Sequence, residues 1–258
     1  MSSEEVRIFG LRGFPLVNPG DDIVRLILKT ARTLHIRIRD GDIIVVGHKI
    51  ISKSQGRIVK LSEVNPSQPA IKIARRSSKD PRLVQLVLDE SKRIIKVSPG
   101  IILAETKQGT VCLNAGIDKS NVEGRDAYCL LPVNPNLSAK QIAKQIADRT
   151  GKRVQVVVTD THSRPFRTGQ SEFAIGVAGF DPFFDYRGGK DLFGYVLKFK
   201  RVSIADELAS SAELVMGQGA EGVPVAIIKG VDRIRRSRKR LASRLPIRRD
   251  RDLFHGAV

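Results

Sequence analysis

The sequence predicts an α+β fold on three observations. Short β-branched runs read as buried strands, amphipathic stretches read as helices, and the two mix without the strict strand–helix alternation of a doubly wound parallel sheet. The strands fall at residues 42–47, 101–104, 153–158 and 223–228, each bounded by turn residues. The helices fall at residues 21–33, 80–92, 138–150 and 204–216. In the third helix Ser138 and Gln141 form an N-cap pairing, and Gly151 supplies the stop. Asn134-Pro-Asn136 and Gly188-Gly189 read as loop punctuation. The chain has 258 residues, 41% of them hydrophobic, which suffices for one large domain or two modest ones. No internal repeat or low-complexity linker divides it.

Composition narrows the class further. Lys and Arg number 45 against 27 Asp and Glu, a net charge of +18. Residues 232–252 carry ten of those basic side chains against three Asp, a net +7, with Pro246 interrupting a partly helical apolar spacing. Such a tail suits a solvated basic helix or a segment that meets nucleic acid or another polyanion. Aromatics are only 5% and Trp is absent, which disfavours a single-strand-binding surface of stacked rings. Two cysteines, Cys112 and Cys129, make neither a disulfide framework nor a four-thiolate zinc site. The opening residues lack the apolar region of a secretory signal, and no apolar run approaches the ~18 residues that span a bilayer. A cytoplasmic protein without a membrane anchor is expected.

Four clusters could carry chemistry. The densest, Thr159-Asp-Thr-His-Ser-Arg-Pro-Phe-Arg-Thr-Gly-Gln170, follows the strand expected to end at Val158. Asp160 and Thr161 there offer oxygen ligands to Mg²⁺ or Mn²⁺, which bridge phosphates to one or two carboxylates. Arg164 and Arg167 can fork onto phosphate or carboxylate. A capping Asp160 with solvated arginines fits the same residues. Asp118, in Asn114-Ala-Gly-Ile-Asp-Lys-Ser-Asn121, sits in a loop where an Asx turn is the plainer reading. The segment Met216-Gly-Gln-Gly-Ala-Glu-Gly-Val-Pro224 contains GxGxxG, but a helix precedes it and a strand follows, the reverse of a dinucleotide fingerprint. Its backbone N–H groups suit either a phosphate or an ordinary helix C-cap. Lastly, Lys49 and Lys53 in Gly47-His-Lys-Ile-Ile-Ser-Lys-Ser-Gln-Gly-Arg57 share a face if that segment is helical. His35 and His255 read as surface residues, and His162 follows the acidic site without any Ser–His–Asp or His-rich metal spacing.

Taken in order, these clusters resemble the coenzyme F420-0:L-glutamate ligases, the gamma-glutamyl ligases. The matching residues are Gly13-Phe-Pro-Leu-Val17, Gly20-Asp-Asp22, Gly41-Asp-Ile-Ile-Val-Val46, Ile51-Ser-Lys53 and Gly56-Arg57. Asn114-Ala-Gly-Ile-Asp118, Ser120-Asn121, Leu130-Leu-Pro132, Thr159-Asp-Thr161 and Arg164-Pro-Phe-Arg167 follow. Ala174-Ile-Gly-Val-Ala-Gly179, Asp191-Leu-Phe-Gly194, Ala205-Asp-Glu-Leu-Ala209, Leu214-Val-Met-Gly217 and Gly222-Val-Pro224 complete the set, with Asp252-Leu-Phe254 a further match.

The resemblance implies a two-lobed mixed α+β fold without a P-loop or Rossmann unit. It implies a catalytic unit over residues 1–230 with a basic segment, residues 231–258, behind it, and a homodimer. It implies a GTP-dependent reaction in which a carboxylate of the deazaflavin phospholactate acceptor becomes an acyl phosphate. The amine of L-glutamate then attacks, leaving GDP and phosphate, and a second γ-linked glutamate can follow. Mg²⁺ or Mn²⁺ is implied as cofactor, with K⁺ assisting, and nucleic acid is not required. By matching positions, Asp118, Asp160, Thr161 and Gln218 are the implied metal ligands. The implied nucleotide contacts are Phe14, Pro15, Leu16, Val17, His48, Lys49, Lys53 and Asn121, together with Met216, Gly217, Gln218, Gly219, Ala220, Glu221, Gly222 and Val223. Arg164 and Arg167 are left for the acceptor. The chain departs from the family pattern at His48, Gln218, His162-Ser163 and Arg248-Arg249. The stand-alone unit resembles the archaeal type.

Overall fold

A computed structural model describes residues 5–164, 166–231, 245–247 and 252. Its helices are α1 (Ile23–Thr33), α2 (His48–Ser54), α3 (Gln68–Ser77), α4 (Pro81–Glu90), α5 (Pro135–Thr150) and α6 (Ile204–Met216). Its strands are β1 (Arg7–Gly10), β2 (Ile43–Gly47), β3 (Ile58–Lys60), β4 (Ser91–Ser98), β5 (Ile101–Thr106) and β6 (Val111–Leu113). They continue with β7 (Ala127–Cys129), β8 (Gln155–Ser163), β9 (Gln170–Ala178), β10 (Phe183–Asp185), β11 (Arg201–Ser203) and β12 (Val225–Lys229). The mixture is α+β, as the sequence predicts.

The main sheet has the order β1-β12-β2-β8-β9, with only β2 and β8 parallel. The continuous apolar run of β2 follows from covering both faces of this sheet, because alternate side chains point to opposite sides. Ile44 and Val46 join Ile27 of α1 and Ile142 and Ile146 of α5 on one face. Ile43 and Val45 join Leu208, Ala209 and Ala212 of α6 on the other. Each fully buried aliphatic side chain contributes about 1.5–3 kcal/mol relative to exposure.

After α2 the chain leaves this sheet and returns at α5. The intervening segment builds its own core, in which Leu61, Val84, Val87, Ile102, Ala104, Ile117 and Leu130 pack together. Helices α3 and α4 cover the antiparallel sheet β4-β5-β6, and Val59 and Tyr128 of the β3–β7 pair pack against this core. Strands β10 and β11 form a separate two-stranded ribbon.

The differences from the sequence reading include two boundaries and one added helix. Strand β8 runs past Val158 to Ser163, because β9 pairs with it along the polar stretch from Thr159↔Ala174 to Ser163↔Gln170. The strand's length is therefore set by a partner and not by its own apolar run. Helix α5 starts at Pro135 and not at Ser138: Asn134 is the N-cap, its side chain accepting from the Leu137 N–H at 2.9 Å, with Pro at the first helical position. Asn134-Pro-Asn136 is thus a helix start. Helix α3 was not expected; Ser67 caps it and Pro69 opens its first turn. Gly151 ends α5 in the left-handed conformation, φ 69°, as its sequence position predicts.

The basic segment, including Arg248-Arg249, Phe254 and His255, lies outside the described residues apart from residues 231, 245–247 and 252. Among the described residues no helix is long and apolar enough to cross a membrane.

Candidate active site

The parallel pairing of β2 with β8 sets Gly47 opposite Thr159. The next residue of each strand, His48 opening α2 and Asp160 continuing β8, therefore meet. His48 Nε2 lies 3.1 Å from Asp160 Oδ1, and His162 Nε2, two residues along the same strand face, lies 3.3 Å from Oδ2. His48 is only 3% exposed, and neither of its ring nitrogens has an aligned hydrogen-bond partner among the described residues. Burial alone would raise the Asp160 carboxyl. The imidazoles of His48 and His162 outweigh that effect and hold it below the usual carboxylate range.

Asp118 arrives from the inserted segment. Strand β6 ends in a tight turn at Asn114–Gly116, and Asp118 then bridges to Cys129 through reciprocal backbone bonds of 3.0 and 2.8 Å. Its carboxylate accepts from Lys49 Nζ at 2.6 Å, from the Ser120 N–H at 3.0 Å and from Ser120 Oγ at 2.6 Å. The Asx turn is present, and it presents a carboxylate to a lysine of α2. Burial raises this carboxyl, but Lys49 and Ser120 bring it below its ordinary value.

Glu172 carries no motif signal, yet it organises the neighbouring side chains. It is 6% exposed, and β9 pairs it with Thr161. Its carboxylate accepts from Thr159 Oγ1, from Thr161 Oγ1 at 2.7 Å and from Gln218 Nε2 at 2.6 Å. Thr161 Oγ1 also lies 2.7 Å from Gln218 Oε1. The Gly-rich loop after α6 is therefore fastened to the β8–β9 hairpin. Its second tie is Asn121 Nδ2 donating to the Gly219 carbonyl at 3.0 Å, and Glu221 accepts from the Gly219 N–H at 2.7 Å. Gly217 ends α6 with φ +69°, and a Cβ there would stand 2.4 Å from the Glu221 carboxyl carbon.

These groups surround one cavity of about 1490 Å³. Of the expected residues, Phe14, Pro15, Leu16, His48, Lys49, Lys53, Asp118, Asn121, Asp160, Thr161 and Arg164 line it, with all eight from Met216 to Val223. Two do not. Val17 is buried in the core beside Ile23 and Val24, and Arg167 is exposed beyond the cavity wall. The inserted segment supplies Arg93 and Glu105 to the wall, which the sequence did not single out. Among the described residues no group of three or more His, Cys, Asp or Glu is placed to hold a metal ion. The donor set of Asp118, Asp160, Thr161 and Gln218 is all oxygen and holds two carboxylates. That fits a hard cation completing its coordination with phosphate oxygens and water.

A sequence profile described as F420-0:Gamma-glutamyl ligase matches residues 12–230, from just before the Phe14 turn through the end of β12. The chain belongs to that family. Relatives of this ligase family agree over most of their lengths. A coenzyme F420:L-glutamate ligase of Methanothermobacter thermautotrophicus is 46% identical over 87% of this chain and 89% of its own. One of Methanocaldococcus jannaschii is 48% identical over 76% and 78%, and one of Archaeoglobus fulgidus 42% identical over 88% of each.

Proposed function

We propose that this family member is a GTP-dependent coenzyme F420-0:L-glutamate ligase, acting in the cytoplasm as a homodimer. The carrying observation is the convergence of Asp118, Asp160, Lys49, Lys53 and the Gly-rich loop on one cavity, in a chain so similar to proteins named for glutamate ligation. An acceptor carboxylate oxygen attacks the γ-phosphorus of GTP, the bond to the β-phosphate oxygen breaks, and GDP departs. The amine nitrogen of L-glutamate attacks the acyl carbon and loses a proton, and phosphate leaves with the acyl C–O electron pair. The product is F420-1, and a second γ-linked addition gives F420-2.

The protein's part is to hold three anions in one place against their mutual repulsion. Lys49 and Lys53 oppose phosphate charge, and the backbone N–H groups of residues 216–223 close over phosphate oxygens. Phe14, Pro15 and Leu16 line the nucleotide pocket, and Asn121 fixes the loop at Gly219. Arg164 meets the acceptor's carboxylate or phosphodiester, with Arg167 outside the cavity as an approach residue. Asp118, Asp160, Thr161 and Gln218 would hold Mg²⁺ or Mn²⁺, which supplies charge neutralisation and Lewis acidity when bound, with K⁺ assisting. Asp118→Asn and Asp160→Asn are each expected to abolish metal-dependent GTP turnover in the presence of acceptor and glutamate. Full turnover in either variant removes that residue from the site.

A further inference from the structure

A second concavity lies at the edge of the main sheet, between β1 and the chain that follows α1. Its volume is about 720 Å³, and Arg7, Arg12, His35, Arg37, Arg39 and Lys229 line it. The sequence after α1 explains the arrangement. From His35 to Arg39 burial alternates, Ile36 and Ile38 packing on the core while His35, Arg37 and Arg39 stay exposed. His35 takes a left-handed turn, φ 56°, and after it Arg37 and Arg39 are both exposed while Ile36 and Ile38 pack on the core. Among the described residues strand β1 pairs only with β12, and it adds Arg7 to the lining.

Few of these charges are neutralised. Arg7 pairs with Glu5, and Lys229 with Asp42. The guanidinium groups of Arg12, Arg37 and Arg39 have no carboxylate partner among the described residues. Unpaired like charges crowded in one groove repel, and a bound polyanion relieves that repulsion. Arginine dominates the set, and its planar fork matches phosphate oxygens.

We infer that this groove, apart from the ligase cavity, binds the phosphate backbone of a double-stranded nucleic acid without sequence preference. An isologous second copy would set this cationic patch against itself. Leu34, 37% exposed, is the one large exposed apolar side chain among the lining residues, so a protein hot spot lacks its usual anchors. Of the two aromatic side chains in the groove, Phe9 packs against the core and His35 alone is exposed, so a row of stacking platforms for separated bases is lacking, which favours a duplex over a single strand.

The test is fluorescence anisotropy with the full-length protein and a labelled duplex of about 20 base pairs across a salt series. Binding is expected, with log K falling against log salt at a slope of about −4, near −0.9 per phosphate neutralised. Arg37→Glu with Arg39→Glu, both exposed residues outside the lining of the ligase cavity, is expected to weaken binding at least tenfold and make the slope shallower by about 2. GTP turnover and the melting temperature should stay as in the parent. No binding at low salt overturns the inference, as does unchanged binding by the double variant, which would assign the affinity to the tail. Binding of inorganic polyphosphate but not of duplex overturns it as well.

Discussion

Glu172 shows how one side chain fastens several parts of the site. Its carboxylate receives Thr159, Thr161 and Gln218 at once, so removing it frees the Gly-rich loop from the hairpin. Glu172→Ala is expected to lower kcat/KM for GTP by about 10–100-fold, the usual loss when a group that orients a ligand set is removed. Glu172→Gln, which still accepts from the threonines, should retain more activity; parental kcat/KM in Glu172→Ala would show that the anchor is dispensable. The two thiols behave oppositely to catalytic cysteines. Burial pushes Cys112 up to about 12 and Cys129 up to about 11. The native protein should resist iodoacetamide at pH 8 and label fully once denatured, and rapid native labelling would contradict their burial. For Asp118 and Asp160 the sign is reversed. Their carboxyls are depressed, so their contribution is complete above about pH 4 and is lost only as pH falls through the lower folded values. Asp118, Asp160 and Lys49 were legible in the sequence because charged residues just past apolar runs stand out. Glu172 was not, because its role comes from the register of β9 on β8.

Between elements, a close constraint joins β9 to the start of α5. A Cβ on Gly176 would lie 2.5 Å from the Pro135 carbonyl carbon and oxygen, which are backbone atoms unable to swing aside. Gly176→Ala is expected to destabilise the protein by about 1–3 kcal/mol, read as a lower urea midpoint with an unchanged m-value. An unchanged midpoint would show that α5 can shift off the sheet. Strands β2, β8 and β12 were readable because burial on both faces leaves an unbroken apolar run. The start of α5 was missed because Asn134-Pro-Asn136 reads as a loop until the Asn134 side chain is seen capping the helix. Strands β3 and β7 are three residues each and exist through pairing with each other across the 66 residues between them, a distance local periodicity does not register.

At the scale of the molecule, the site is a junction. Lys49–Asp118 and Asn121–Gly219 both tie the inserted segment to the main sheet's elements, so the carboxylate of one unit faces the lysine and the loop of the other. The family motifs were legible as an ordered set, whereas the cavity that gathers them depends on contacts between residues far apart in sequence, such as Lys49 with Asp118 and Asn121 with Gly219. The net charge of +18 divides accordingly, part lying in the cavity, part in the sheet-edge groove and part in the tail. The central claim is glutamate ligation at the cavity. It is tested most directly by incubating the protein with F420-0, L-glutamate, GTP and Mg²⁺ or Mn²⁺, and weighing the deazaflavin product by mass spectrometry. The expected product is an acceptor carrying one or two glutamyl residues, with one GDP and one phosphate released for each. An acceptor of unchanged mass, recovered with folded protein and intact GTP, would contradict it.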